Sequence, residues 1–196
     1  MDIGIWLQVG AIIFLILWRF YWHFTEQKAE KEKPKKNKNY AFFHKNNAIK
    51  LITLATFIPV SLQLLGLTIL PFAEKHLWLQ VLGFFLVAAG WFISVRGRHD
   101  LGTNWARSYD YQVKDKQELV TTGIYKYIRH PIYSGIALMF LGSELIVQSY
   151  MVYIYLLIYI AAYIQASWEE KLLISHFGEK YSTYMKRSKR FIPFLW

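Results

Sequence analysis

Hydrophobic positions along the chain gather into five long blocks separated by polar or basic connections. The first runs from Ile3 to about Phe24; as a helix it measures ~33 Å, enough to span the hydrocarbon core of a bilayer. Trp18, Tyr21 and Trp22 form an aromatic belt at its far end, and Arg19 is placed to snorkel. The second block, about Ala48 to Leu70, contains Pro59, which predicts a kink, and stops at Pro71. A short turn, Phe72 to His76, leads to a third block from Leu77 to about Val95, where Gly83, Ala88, Ala89 and Gly90 favour close helix packing. After a polar region from Arg96 to His130, the fourth block covers Ile132 to Val147 and the fifth covers Tyr150 to about Ala166. Only Gln148 and Ser149 separate these two, which predicts a tight helical hairpin. The tail, Ser167 to Trp196, is amphipathic and basic and is expected at the membrane interface. The expected fold class is all-α: a polytopic membrane protein of five transmembrane helices.

The distribution of charge gives that reading an orientation. The formal net charge is +10 over 196 residues, 55% of them hydrophobic. With the amino terminus outside, segments 25–47, 96–130 and 167–196 all face the cytoplasm, and they hold 20 of the 23 Lys and Arg residues. Membrane orientation therefore accounts for the basic balance, and the expected partners are the bilayer and an amphiphilic small molecule rather than nucleic acid. The lysines between Thr25 and Asn47 mark sidedness and lipid-headgroup contact, with no chemistry of their own. The first block lacks a basic leader and is too long for a cleaved signal peptide, so it is expected to be retained.

Several chemistries lack their residues. There is no cysteine, hence no disulfide, thiolate nucleophile or cysteine-held metal. Neither G-x-G-x-x-G nor a P-loop pattern occurs. The histidines, at positions 23, 44, 76, 99, 130 and 176, show no i, i+3 or i, i+4 pairing, so no metal site is expected. What remains collects on the cytoplasmic side. Pro131 suits the first turn of a helix, which puts Arg129 and His130 at a helix mouth able to seat a carboxylate or phosphate. Glu169 and Glu170 follow the fifth block at the helix–water boundary. Trp105, Tyr125, Tyr127 and Tyr133, each read singly, are interfacial aromatics. Glu144, inside the fourth block, is expected to be hydrogen-bonded between helices.

Taken together, L-G-x-x-W at 101–105, E-L-V-x-x-G-x-Y at 118–125, R-H-P-x-Y-x-G at 129–135 and E-E-x-L-L-x-x-x-F-G-x-x-Y at 169–181 resemble the isoprenylcysteine carboxyl methyltransferase family. They also resemble its relatives among small membrane methyltransferases, including phospholipid N-methyltransferases. The likeness covers about Arg98 to Pro193 and divides the chain into a three-span region, 1–97, and a catalytic region, 98–196, within one structural domain. The resemblance implies S-adenosylmethionine as methyl donor, in a cytoplasmic pocket formed by the carboxy-terminal half, with S-adenosylhomocysteine as product. It implies donor contacts from Gln112, Glu118, Leu119, Val120, Tyr125, Arg129, His130, Pro131 and Tyr133. It implies a catalytic role for Glu169 and Glu170 on the acceptor side, and no metal. Two adjacent helical residues diverge by about 100°; Glu169 is expected in the pocket, with Glu170 leaning towards Lys171 and the solvated tail. Members of that family commonly carry an arginine shortly before the acids, where this chain has Gln165. A membrane sterol- or steroid-type NADPH reductase and a non-catalytic membrane scaffold are the competing expectations.

Overall fold

The computed structural model describes residues 3–31, 47–105 and 117–193. Helix α1, Ile3–Lys31, and α2, Asn47–Leu64, are followed by α3, Leu77–Leu101. Two 3-10 turns, Gly102–Asn104 and Gly123–Lys126, lead to α4, Pro131–Val147, then α5, Val152–Phe177, and α6, Glu179–Arg187. No strand forms among the described residues; two isolated bridges join Pro71 to Ser149 and Ile128 to Lys189. Two helical stretches, Ile3–Gln27 and Leu77–Asn104, are long and apolar enough to cross a membrane by length and composition. Their outward faces carry Trp6, Ile13, Ile16 and Phe20 on α1 and Trp78, Phe85 and Phe92 on α3, all exposed.

The antiparallel pair α3 and α4 forms the centre. Gly83, Gly90 and Gly97 recur every seven residues on α3, and Gly135 and Gly142 are likewise seven apart on α4. They interlock in register. A Cβ added to Gly83 would stand 2.5 Å from the Gly142 carbonyl oxygen, and one on Gly135 would stand 2.5 Å from that of Gly90. At the third level Gly97 faces Pro131, whose Cγ would lie 2.8 Å from an added Cβ. Glycines thus let the two backbones touch, and dispersion between them replaces a hydrophobic drive that lipid would not supply. Of the four small residues expected to pack, Gly83 and Gly90 lie in this seam, while Ala89 is exposed.

Helix α1 lies along α3. Phe84 of α3 fills the space over Gly10, Phe14 packs on Phe84 and Trp91, and Trp22 meets Trp105 edge-on. Arg98 closes the seam, donating to the Thr25 carbonyl at 2.9 Å and stacking on Trp105. Helix α2 joins through Trp18 against Phe57 and Phe57 against Phe140. Glu144 is fully buried and accepts a hydrogen bond from Gln63 of α2 at 2.8 Å, the interhelical pairing expected of it.

Several boundaries differ from the hydrophobic blocks. Helix α2 runs through Pro59 and stops at Leu64, not Leu70. Leu67 N–H bonds to the Leu62 carbonyl and Gly66 N–H to that of Gln63, a Schellman closure in which Gly66 takes φ 105°. Helix α3 continues past Val95 to Leu101, and α5 continues past Ala166 to Phe177, because helix geometry is indifferent to where an apolar run ends. Only α6, beyond Gly178, forms a separate amphipathic helix of the tail, burying Tyr181 and Tyr184. The α4–α5 hairpin is as tight as expected: Gln148 takes a left-handed conformation, and its side chain bonds both the N–H and the carbonyl of His76.

The glycine seam gives a direct test. Gly90→Ala should destabilise the protein by about 1–3 kcal/mol through overpacking, read by thermal unfolding in detergent, while Ala89→Leu on the exposed side should change little. Equal effects would remove the seam as the organising contact.

Candidate active site

Three chain segments meet at one end of the α3–α4 pair. Asp100, near the end of α3, accepts the Ile124 N–H at 2.9 Å and an Arg96 contact at 3.1 Å. The adjacent Gly123 has φ 60° and touches the Asp100 carboxylate so closely that no side chain would fit. Asn104 accepts the Glu118 N–H at 2.8 Å. Segment 118–126 is thereby fastened to α3. On its other side, residues 127–130 run beside 189–190: Lys189 N–H bonds the Tyr127 carbonyl, Arg129 N–H that of Lys189, and His130 N–H that of Arg190. Ser134 Oγ donates to the Phe191 carbonyl at 2.7 Å. The carboxy-terminal segment is held against the mouth of α4 and brings Arg190 with it.

At the junction lies a buried charge cluster. Arg129 Nε donates to Glu170 Oε1 at 2.7 Å, and its Nη1 reaches the carbonyls of Ser188 and Met185 at 2.5 and 3.3 Å. Arg190 lies across the same carboxylate, Nε on Oε1 at 3.2 Å and Nη2 on Oε2. His130 Nε2 is 3.2 Å from Glu170 Oε1. The Glu170 side chain is only 3% exposed. Burial alone would raise its pKa, but hydrogen bonds from His130, Arg190 and Arg129 outweigh it and hold the group at about 2. An ionised Glu170 can only accept, so His130 carries a proton on Nε2.

Its neighbour Glu169 is different. Its Oε1 accepts from the Tyr133 hydroxyl at 2.5 Å and from Gln165 Nε2 at 3.5 Å, and its Oε2 lies 3.6 Å from His130 Nδ1. At 24% its side chain is the most exposed charge of the cluster, against 18% for Arg190 and 9% for Arg129. His130 stacks on Tyr133 with 5.6 Å between ring centroids.

Two expectations change. Glu170 does not lean into the solvated tail; it is the buried member of the pair, because the tail folds back and supplies Arg190. The mouth of α4 is formed as expected, with His130 capping it and Pro131 in its first turn, but Arg129 is no free anion seat, its guanidinium being taken up by Glu170 and two carbonyls. Pro131 is fully buried against Gly97, and Tyr125 is buried with its carbonyl accepting the Tyr184 hydroxyl at 2.7 Å. Glu118 is exposed, and Leu119 and Val120 are half-buried outside any helix. Gln112 lies outside the described residues. Arg190 was absent from the sequence-based set, because a basic residue in an amphipathic tail reads as solvated; Phe191-Ile192-Pro193 after it was the available sign that the tail returns to the protein. Among the described residues, no group of three or more His, Cys, Asp or Glu gathers in a metal-holding arrangement.

Residues 78–180, just over half of the chain, match the family model described as phospholipid methyltransferase. The chain belongs to that family. The match begins near the start of α3. The chain is 28% identical over 137 residues to a protein-S-isoprenylcysteine O-methyltransferase of Xenopus laevis, covering 65% of this chain and 45% of that one. It is 37% identical over 76 residues to a methanethiol S-methyltransferase of Crocosphaera subtropica, covering 38% of this chain and 29% of the relative. The chain thus spans less than half the length of both these curated relatives. In fold it is similar to the solved eukaryotic intramembrane Ras methyltransferase ICMT, with a TM-score of 0.65 and 17% identity over all of this chain and 69% of that one. The resemblance to isoprenylcysteine carboxyl methyltransferases read above from the motifs is matched by these similarities. Within the family match, Glu118 to Tyr133 and Glu169–Glu170 all fall in 78–180, whereas Arg190 lies beyond it.

Glu170→Gln should cost about 3–5 kcal/mol, because two guanidiniums are left buried without their counter-charge; a lowered Tm in detergent reads it. The pH dependence has a definite sign. The folded pKa lies below the ordinary carboxylate value of 4.5, so the stabilisation is present above pH 4.5 and is lost as pH falls towards about 2. A Tm in the Glu170→Gln variant as high as in the native protein would show the cluster to be dispensable.

Proposed function

We propose that the protein is an integral-membrane methyltransferase that moves a methyl group from S-adenosylmethionine to an amphiphilic acceptor. The observation that carries this reading is the division of labour between Glu169 and Glu170: one acid buried as the counter-charge of two guanidiniums, its neighbour accessible and aligned by Tyr133 and Gln165. A sulfonium donor is already activated, so the protein needs alignment, a favourable field and exclusion of water rather than a nucleophile of its own. The residues fit that donor. Glu169, an accessible carboxylate, favours a sulfonium electrostatically. Leu119 and Val120 are half-buried beside Glu118, and their backbone N–H and carbonyl groups would serve an adenine edge or a polar donor group. Glu118 adds an exposed acid beside them. Tyr125 stays neutral because burial pushes its phenol up. With Tyr133 and the ring of His130, these residues would hold the donor, and Arg129 and Pro131 would keep the walls in place.

In this reading five spans cross the bilayer, the amino terminus lies outside, and the cluster faces the cytoplasm. The apolar acceptor then enters sideways from the lipid while the donor enters from water. The relatives act, by their names, on isoprenylcysteine and on methanethiol; both acceptors offer a small nucleophilic head, one of them on a long apolar chain.

Calorimetry on the detergent-purified protein should give heat of binding with S-adenosylhomocysteine and none with NADPH. Binding of NADPH alone would indicate a reductase, and binding of neither would sink the proposal. Orientation is read separately: cysteines introduced at Lys75 and at Lys126 should label from opposite sides of the membrane. Labelling of both from one side would exclude the five-span arrangement.

A further inference from the structure

We infer that the acceptor is an amphiphile with a thiol head rather than a carboxylate head. The inference rests on the methyltransferase reading and narrows it. An acceptor carboxylate would need a cation to hold it, and both guanidiniums of the cluster are taken up by Glu170. Arg129 is spent on that carboxylate and on two carbonyls. Arg190 forks onto Glu170, donates from Nη1 to Ser167 Oγ at 3.0 Å and stacks 4.6 Å above the Tyr163 ring.

The most exposed charge of the cluster is instead the acid Glu169. A carboxylate beside the reacting position repels an acceptor carboxylate and serves an acceptor that must lose a proton. Among such acceptors a thiol fits best. Its ordinary pKa of about 8.5 lies closer to that of a carboxylate than the value of about 10.4 for an alkylammonium, and its sulfur is the stronger nucleophile. Helix α5 supplies the rest. Ile160, Ile164 and Trp168 recur every four residues along one exposed stripe, leading to the turn that carries Glu169. An apolar chain lying in the bilayer can follow that stripe to the cluster.

The step balances without a further reagent. The acceptor S–H proton goes to Glu169 as the acceptor sulfur bonds to the methyl carbon. The electron pair of the broken carbon–sulfur bond stays on the donor's sulfonium sulfur, leaving two neutral thioethers. Glu169 then gives the proton to water at its exposed side.

The test offers the full chain in detergent two probes of equal chain length, 1-dodecanethiol and dodecanoate, with S-adenosylmethionine. Methyl transfer to the thiol should be at least tenfold faster than to dodecanoate. Glu169→Gln should lower thiol turnover at least tenfold while S-adenosylhomocysteine affinity, read by calorimetry, stays within about twofold. Binding of dodecanethiol to the S-adenosylhomocysteine-loaded protein, also by calorimetry, should exceed that of dodecanoate and fall in the same variant. If S-adenosylhomocysteine binds but dodecanoate is the better acceptor, or neither probe is methylated, the thiol assignment is overturned while the methyltransferase reading stands. If S-adenosylhomocysteine itself does not bind, the methyltransferase reading falls and takes the inference with it.

Discussion

The backbone contact between α3 and α4 is the constraint on which the other placements depend. Two helices approach this closely only where neither carries a Cβ at the crossing, and here glycine faces glycine at two successive levels seven residues apart. A seven-residue period on both helices keeps one narrow face in contact along the pair. The seam runs on to Gly97 and Pro131, so it also fixes where the mouth of α4 stands against the end of α3. From there short tethers suffice: Asp100 to Ile124, Asn104 to Glu118, and the 127–130 backbone to 189–190. The helix pair thus presents the motif-bearing loops at one end.

The second dependency is electrostatic. Arg129 and Arg190 come from segments 61 residues apart, and the carboxylate joining them comes from a third. Taking these charges out of water is costly, and the cost is offset only because every partner is hydrogen-bonded. Glu170 therefore acts as a clasp that locks the carboxy-terminal segment to the mouth of α4. One residue earlier the helix has turned by about 100°, and Glu169 meets Tyr133 and Gln165 rather than a guanidinium. Two identical side chains in sequence receive opposite environments, one buried among guanidiniums and one accessible.

The sequence by itself determined the helical character, the places where apolar blocks lie, the Pro131 helix mouth, the tight α4–α5 turn and the order of motifs that marks the family. Each of these is local: a run of side chains, a proline in a first turn, a spacing within one segment. Even the end of α2 was written locally, in Gly66, although the apolar run continues past it to Leu70. Tertiary structure alone decided the partners. That the seven-residue glycine series of α3 matches that of α4 depends on an antiparallel register no single helix encodes. That Glu170 is buried and Glu169 accessible depends on Arg190, which the chain delivers only by folding its tail back along residues 127–130. The burial of a charge is set by which other charges surround it in space, and those come from segments that the linear order keeps apart.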